Sequence, residues 1–242
     1  MTYCVGLLLK AGIVMLSDTR TNAGLDNIST YRKMYVFEVP GERVIGIMTA
    51  GNLSVTQTTI ARLEEAAADD PDADPDRSIL KAPTMLKVAE IIGQTLAEVR
   101  LEINEKMTAM RQMASASMIV AGQRRGGGMR MFLVYQEGNF IEATEDTPFL
   151  QIGEHKYGKP ILDRVVTPDT TLADAQKAVL LSMDSTLRSN LSVGMPLDLA
   201  VIEKDSFAVG LRRRIEAGDP QFAAMSDAWS SALRDAFRRI EI

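Results

Sequence analysis

Four short apolar runs fill the first fifty residues, and tight turns join them in pairs. Tyr3–Leu9 is apolar and β-prone, Ala11–Gly12 supplies a turn, and Ile13–Ser17 is a second run of the same kind. Lys33–Val39 alternates well enough for a strand. Pro40–Gly41 is a turn pair, and Arg43–Thr49 has the composition of a strand buried on both faces. Strands joined by so few residues pair as antiparallel hairpins, because a parallel pair needs a crossover of about a dozen residues or more. The start of the chain therefore commits it to antiparallel sheet. The polar, turn-rich stretch between the hairpins, Thr19–Ser29, reads as a loop.

The pattern then changes. Asn52 or Ser54 can cap a helix running to about Ala68. Asp69–Asp76 is acidic, holds two prolines and reads as an exposed loop. A long helix is predicted over Ala82–Arg111, with Pro83 tolerated in its first turn and Met85, Ala89, Ile92, Leu96, Val99 and Ile103 at three-to-four spacing. Strands return at Met118–Ala121 and Met129–Tyr135 about a Gly126–Gly128 turn, and again at Phe140–Glu142 and Phe149–Ile152. Thr171–Arg188 reads as a helix, Leu197–Glu203 and Phe207–Leu211 as two last strands. Asp219–Pro220 opens a C-terminal helix, about 219–240, with Phe222, Met225, Trp229, Leu233 and Phe237 on one stripe. Strand runs segregated from helix runs predict an α+β layered architecture, antiparallel sheets covered by helices. With no repeat and no linker, residues 1–242 are expected to form a single domain.

Composition narrows the function classes. A net charge of -5 gives no footprint for nucleic acid, and none is expected as a partner. The basic clusters Arg124–Arg125, Arg212–Arg214 and Arg238–Arg239 read as solvated surface or subunit contacts. The single cysteine, Cys4, excludes an intrachain disulfide and reads as a small core residue. A lone histidine, His155, beside it leaves no multi-Cys/His zinc set, and no metal or cofactor is expected. His155 reads as a solvated loop residue, with substrate contact as the alternative. The many methionines read as adaptable packing. No apolar run approaches a membrane span, and the first dozen residues lack the basic and apolar regions of a signal peptide. No membrane partner is expected, and the location is expected to be cytoplasmic.

Four positions in the first 51 residues can carry chemistry as a set. Threonine is small, so removal of Met1 is expected to leave Thr2 first in the chain. Thr2 would then hold a hydroxyl and a free α-amine on one carbon frame. An α-amine, pKa about 7.7–8.0, can accept the hydroxyl proton near neutral pH. Alone, Thr2 is a common second residue. Asp18 closes the second strand; alone it reads as an Asx turn or a cap. Lys33 opens the third strand; alone it reads as a solvated strand end. Together, an ammonium at Lys33 would lower the pKa of the Thr2 amine, and Asp18 would hold that ammonium. Thr49-Ala50-Gly51 ends the fourth strand just before a helix. Glycine there admits close substrate approach, and its N–H can face a developing oxyanion.

These residues resemble the proteasome β-subunit family. Thr2, Ser17-Asp18-Thr19-Arg20, Arg32-Lys33 and Thr49-Ala50-Gly51 stand in that family's order and near its spacing, and Leu199-Ala200-Val201-Ile202 is similar to its late strand. The Tyr3-Cys4-Val5-Gly6 start, the Thr21-Asn22-Ala23-Gly24 segment and the extended C-terminal helix are most similar to its bacterial branch, the ancestral β subunit Anbu. The resemblance implies a four-layer αββα sandwich, the N-terminal-nucleophile hydrolase fold, and self-assembly into rings or open spirals. It further implies threonine-dependent hydrolysis of peptide or other amide bonds, and catalytic roles for Thr2, Asp18, Lys33, Gly51 and Ser192. Gly153-Glu154-His155 stands where β subunits have Gly-Ser-Gly. Ser189, followed by Ser192-Val193-Gly194, stands where they have an Asp three residues before Ser-Gly-Gly. Three functions stay open at this point: a self-compartmentalised threonine peptidase, a hydrolase of small or γ-glutamyl amides, and a silent scaffold. Whether an ATP-driven unfoldase docks is not encoded in any motif.

Overall fold

A computed structural model describes residues 1–22, 28–68, 74–107 and 113–241. The chain opens with β1 (Tyr3–Leu9), β2 (Gly12–Asp18), β3 (Arg20–Asn22), β4 (Ile28–Thr30), β5 (Met34–Val39) and β6 (Arg43–Gly51). Helices α1 (Leu53–Ala67) and α2 (Met85–Met107) follow, then β7 (Ala116–Arg124), β8 (Arg130–Val134), β9 (Phe140–Glu142) and β10 (Phe149–Gly153). The last elements are α3 (Lys159–Val165), α4 (Leu172–Ser189), β11 (Leu197–Glu203), β12 (Leu211–Ile215) and α5 (Pro220–Arg239).

The two predicted hairpins form, and they seed different sheets. One five-stranded sheet has the order β10-β1-β2-β11-β12, the other β5-β6-β7-β8-β9, and every pairing in both is antiparallel. Strand alternation sorts the side chains into three cores. Odd residues of β1 and even residues of β2 (Tyr3, Val5, Leu7, Val14, Leu16) face α3 and α4. Ile45 and Ile47 of β6 face α1 and α2. Cys4, Ile13, Met15, Met34, Met48 and Met131 fill the space between the sheets. The layers are helix, sheet, sheet, helix: the αββα sandwich of the N-terminal-nucleophile hydrolases. Cys4 is wholly buried, and Met15, Met34, Met48, Met85, Met118, Met131 and Met183 pack the interior, while Met1 and Met113 are exposed.

The helix starts have identifiable causes. Asn52, rather than Ser54, caps α1, its Oδ1 accepting the Val55 N–H at 3.2 Å. α2 begins at Met85, three residues later than predicted, because Thr84 Oγ1 accepts the Lys87 N–H at 3.1 Å and makes the better cap. Its predicted end beyond Met107, and residues 69–73 of the predicted acidic loop, lie outside the described residues. Asp219 caps α5, as its position before Pro220 predicts.

Three readings need correction. Part of the Thr19–Ser29 stretch is paired: Arg20–Asn22 lies antiparallel to Ile28–Thr30. Residues this polar form a strand through backbone hydrogen bonds, without a buried face to mark it. The last strand is Leu211–Ile215, not Phe207–Leu211. Asp205 and Phe207 take φ of 62° and 51°, which no strand permits, and the edge strand is carried instead by three consecutive arginines. α3, seven residues long, carried no periodic signal and was not predicted.

Tyr3 anchors the sheet to its helices. Its ring is wholly buried, its hydroxyl lies 2.6 Å from Ser182 Oγ on α4, and Gln151 Nε2 donates to it at 2.6 Å. Burial pushes its hydroxyl pKa up to about 12, the two hydrogen bonds opposing. Unfolded tyrosine loses its proton near pH 10. Between pH 10 and 12 the folded state therefore holds a proton that the unfolded state has released, and stability falls as pH rises. The loss over that window is about 3 kcal/mol. Tyr3→Phe is expected to cost about 1–2 kcal/mol at pH 8 and to flatten the alkaline decline. Urea midpoints of both proteins at pH 8, 10.5 and 11.5 check this.

Candidate active site

The site forms where β1 begins. Asp18, the last residue of β2, is wholly buried, and its Oδ1 accepts the Lys33 Nζ at 2.8 Å and the Tyr3 N–H at 3.1 Å. Its Oδ2 accepts the Gly194 N–H at 3.3 Å. Burial pushes the Asp18 carboxyl above the usual carboxylate range, while Lys33 and the two backbone donors pull the other way. Lys33, also buried, donates to the Arg20 carbonyl at 2.6 Å as well. Its own carbonyl accepts the Thr49 N–H at 2.9 Å, which ties the start of β5 to the end of β6. The two sequence-predicted charges thus meet, and neither is the solvated loop residue it resembles in isolation.

Thr2 is held by its backbone. Its carbonyl accepts the Glu154 N–H at 2.8 Å. Gly153 makes this contact possible: its φ is 81°, and a Cβ there would lie 1.8 Å from the Thr2 oxygen. The stretch that departs from Gly-Ser-Gly therefore keeps the residue that geometry requires. His155 beside it is exposed, its Nδ1 3.1 Å from the Gly153 carbonyl oxygen. Thr2 is only 7% exposed. Its side chain hydrogen-bonds to none of the described residues, and with Lys33 and Gly51 it lines one cleft of about 550 Å³. Gly51 has φ of 114°, and a Cβ on it would sit 2.4 Å from the Ser115 carbonyl oxygen. The turn from β6 into α1 needs glycine for this approach alone.

Ser192 sits on the 190–194 turn, its N–H donating to Asn190 Oδ1 at 2.9 Å. It is not among the residues lining the cleft; the turn reaches the site through the Gly194 N–H on Asp18. Arg20 holds the same turn, donating to the Leu191 carbonyl at 3.0 Å. Four of the five predicted site residues (Thr2, Asp18, Lys33 and Gly51) converge, then, while Ser192 stands one step away. Sequence reasoning missed Thr21, Thr49, Asn52, Thr56 and Ser115, which also line the cleft. Ser115 carries no sequence signal at all. Asn52 was visible only as a helix cap. Among the described residues, no group of three or more His, Cys, Asp or Glu side chains could hold a metal ion.

Comparison with known proteins settles the family. The chain is 48% identical to a Gly-1 mutant of Anbu from Hyphomicrobium sp. strain MC1, covering 100% of this chain and 99% of that one, with a TM-score of 0.92. The chain belongs to the Anbu family. Anbu from Yersinia bercovieri, described as the ancestral β subunit, is 42% identical over 99% of this chain and 98% of its own, with a TM-score of 0.90. The helical assembly of the Anbu complex from Pseudomonas aeruginosa matches at 43% identity over 99% and 97%, with a TM-score of 0.92. No protein-family model matches the chain, and no protein of curated function does. Anbu is a proteasome-like β-subunit family.

The buried pair gives a stability prediction. Lys33→Ala leaves the Asp18 carboxylate without its cation and is expected to cost about 3–5 kcal/mol. The double variant Asp18→Asn/Lys33→Met removes both charges and is expected to recover more than half of that loss. Urea denaturation of the three proteins checks it; a single variant within about 1 kcal/mol of wild type would show that the pair contributes little.

Proposed function

We propose that this protein is an N-terminal threonine hydrolase of peptide or other amide bonds, with Thr2 as nucleophile once Met1 is removed. The observation that carries this reading is the convergence of Thr2, Lys33 and Gly51 on one cleft, with Lys33 bound to buried Asp18. In the proposed reaction the Thr2 hydroxyl attacks the substrate carbonyl and its proton passes to the Thr2 α-amine. Lys33, held by Asp18, raises the acidity of the amine–hydroxyl couple. The oxyanion forms at the Gly51 N–H, with the N-terminus of α1 behind it. The amine product leaves with the transferred proton, and water then cleaves the acyl-Thr2 ester. Met1 blocks the α-amine as long as it is attached, so its removal is the activating step.

Hydrolysis of a fluorogenic peptide panel by wild type and Thr2→Ala is the direct test, with mass spectrometry of both N-termini. The expected result is processed Thr2, turnover in wild type only, and a drop of at least about 10³-fold in the variant. Labelling of wild type at Thr2 by an N-terminal electrophile completes the result. Equal turnover in both proteins, or Met1 retained in an active protein, removes Thr2 from the mechanism.

We further propose that the protein assembles with itself through α5. The apolar stripe of that helix is not covered: residues 231–240 are all exposed, with Leu233 at 51%, Phe237 at 78% and Ile240 at 70%. The polar clasp of Ser226 Oγ on Asp184 Oδ1, 2.7 Å, fixes only the first half of α5 to α4. The helical assembly of the P. aeruginosa relative supports this reading. Leu233→Glu/Phe237→Glu is expected to lower the sedimentation coefficient to that of a smaller species while leaving the circular dichroism spectrum unchanged. Unchanged sedimentation would place the contacts elsewhere.

A further inference from the structure

The cleft carries a second kind of information, about which acyl side chain it takes. α1 is fifteen residues long, and its N-terminus opens into the cleft, which Asn52, Leu53 and Thr56 line. Asn52 spends its Oδ1 on the Val55 N–H, so its Nδ2 donor is left over. Thr49 is 3% exposed and lies on the same odd-numbered face of β6 as Ile45 and Ile47, the face that packs against α1 and α2. Thr49 lines the cleft, and its hydroxyl hydrogen-bonds to none of the described residues. A hydroxyl with no protein partner, beside a spare amide donor and a helix N-terminus, is a hydrogen-bonding set open to a ligand. Among the described residues that line the cleft there is no carboxylate, and the one charged side chain is Lys33.

We infer that this end of the cleft is a specificity pocket for an acidic side chain, glutamate or aspartate, on the acyl side of the bond. Asn52 Nδ2 and the Thr49 hydroxyl would donate to the carboxylate, and the α1 N-terminus would supply the favourable potential. A cationic side chain would meet the positive end of α1 and the Asn52 amide donor, with only neutral oxygens to accept from it. A large apolar one would leave the Thr49 hydroxyl and the Asn52 amide unpaired. This assignment rests on the cleft being a substrate site, and it names the substrate class of that site. Asn52 acts as a specificity residue and takes no part in the bond-breaking step.

Binding measured apart from catalysis tests it. Thr2→Ala also carries a small second residue, loses Met1 in the same way and cannot form the acyl-enzyme. Fluorescence anisotropy would give its affinity for four dye-labelled tetrapeptides ending in Glu, Gln, Leu or Lys. The expected order is Glu, Gln, Leu, Lys, with Glu at least about five-fold tighter than Lys at low salt and the gap narrowing as salt rises. Asn52→Asp in the same background keeps the α1 cap, since Asp caps as well as Asn, and puts a carboxylate in the pocket. It is expected to abolish or reverse the preference at an unchanged melting temperature. Thr49→Val, of similar shape, is expected to weaken the Glu peptide and leave the Leu peptide unchanged or tighter. Equal affinity for the four peptides, a preference for Lys, or no binding of any of them overturns the inference. So does a Glu preference that survives Asn52→Asp. Glu-selective binding without turnover by wild type would instead sink the hydrolase reading and leave the pocket standing.

Discussion

The contact on which the site depends is the 2.8 Å pair between Lys33 and Asp18. Both ends are out of water, and burial of two charges makes such a pair a poor source of net stability. What it supplies here is position. Asp18 ends a strand of one sheet and accepts N–H groups from Tyr3 and from Gly194. Lys33 stands at the head of β5 in the other sheet. The pair therefore ties the two sheets together at the end of the sandwich where β1 begins. Elsewhere the sheets meet through Cys4, Ile13 and a group of methionines. Apolar packing of this kind is strong and undirected. It makes the sheets stack, and the ion pair sets how their ends are aligned where alignment matters.

Thr2 is fixed by the groups around it that have no chemistry of their own. Its carbonyl is taken by the Glu154 N–H, and the next N–H along the chain, that of Tyr3, is taken by Asp18. Tyr3 itself is locked into the helix layer by Ser182 and Gln151. The backbone on the C-terminal side of Thr2 has no remaining freedom, and the side chain is what it presents to the cleft. A reactive group mounted on a rigid strand end loses little conformational entropy on meeting a substrate. Gly153 is the condition for this, because a Cβ at that position would overlap the Thr2 carbonyl.

Much of this was legible in the sequence, for physical reasons that also explain the failures. The two hairpins announce themselves because each apolar run is bounded by turn residues. α1 and α5 announce themselves through caps at Asn52 and Asp219, and α4 through its apolar positions Leu172, Ala175, Ala178, Val179 and Met183. β12 was misplaced because an edge strand with exposed arginines buries little: only Ile215 faces inward. β3 and β4 were read as loop because backbone pairing leaves no trace in hydropathy. In the site, Asp18, Lys33 and Gly51 were recognisable only as an ordered set beside Thr2. Thr49 was recognisable only as a member of the Thr49-Ala50-Gly51 motif, and Ser115 not at all. Their place in the cleft comes from the pairing of β6 with β7, which sets Ala50 opposite Ser117 and Gly51 opposite Ala116. Contacts between segments so far apart in the chain exist only once both sheets have formed.

Two sources of positive potential bear on the cleft, and they differ in how water reaches them. Lys33 is buried against Asp18, where mobile ions screen poorly. The N-terminus of α1 faces the open cleft, where they screen well. If the first tunes the Thr2 amine and the second selects the acyl side chain, ionic strength separates the two roles. Added salt erodes discrimination between acidic and basic substrates while leaving the intrinsic reactivity of Thr2 nearly constant. A single source acting on both would make them fall together. On those two proposals, the burial of Lys33 and the exposure of the cleft mouth would divide the labour between reactivity and selection.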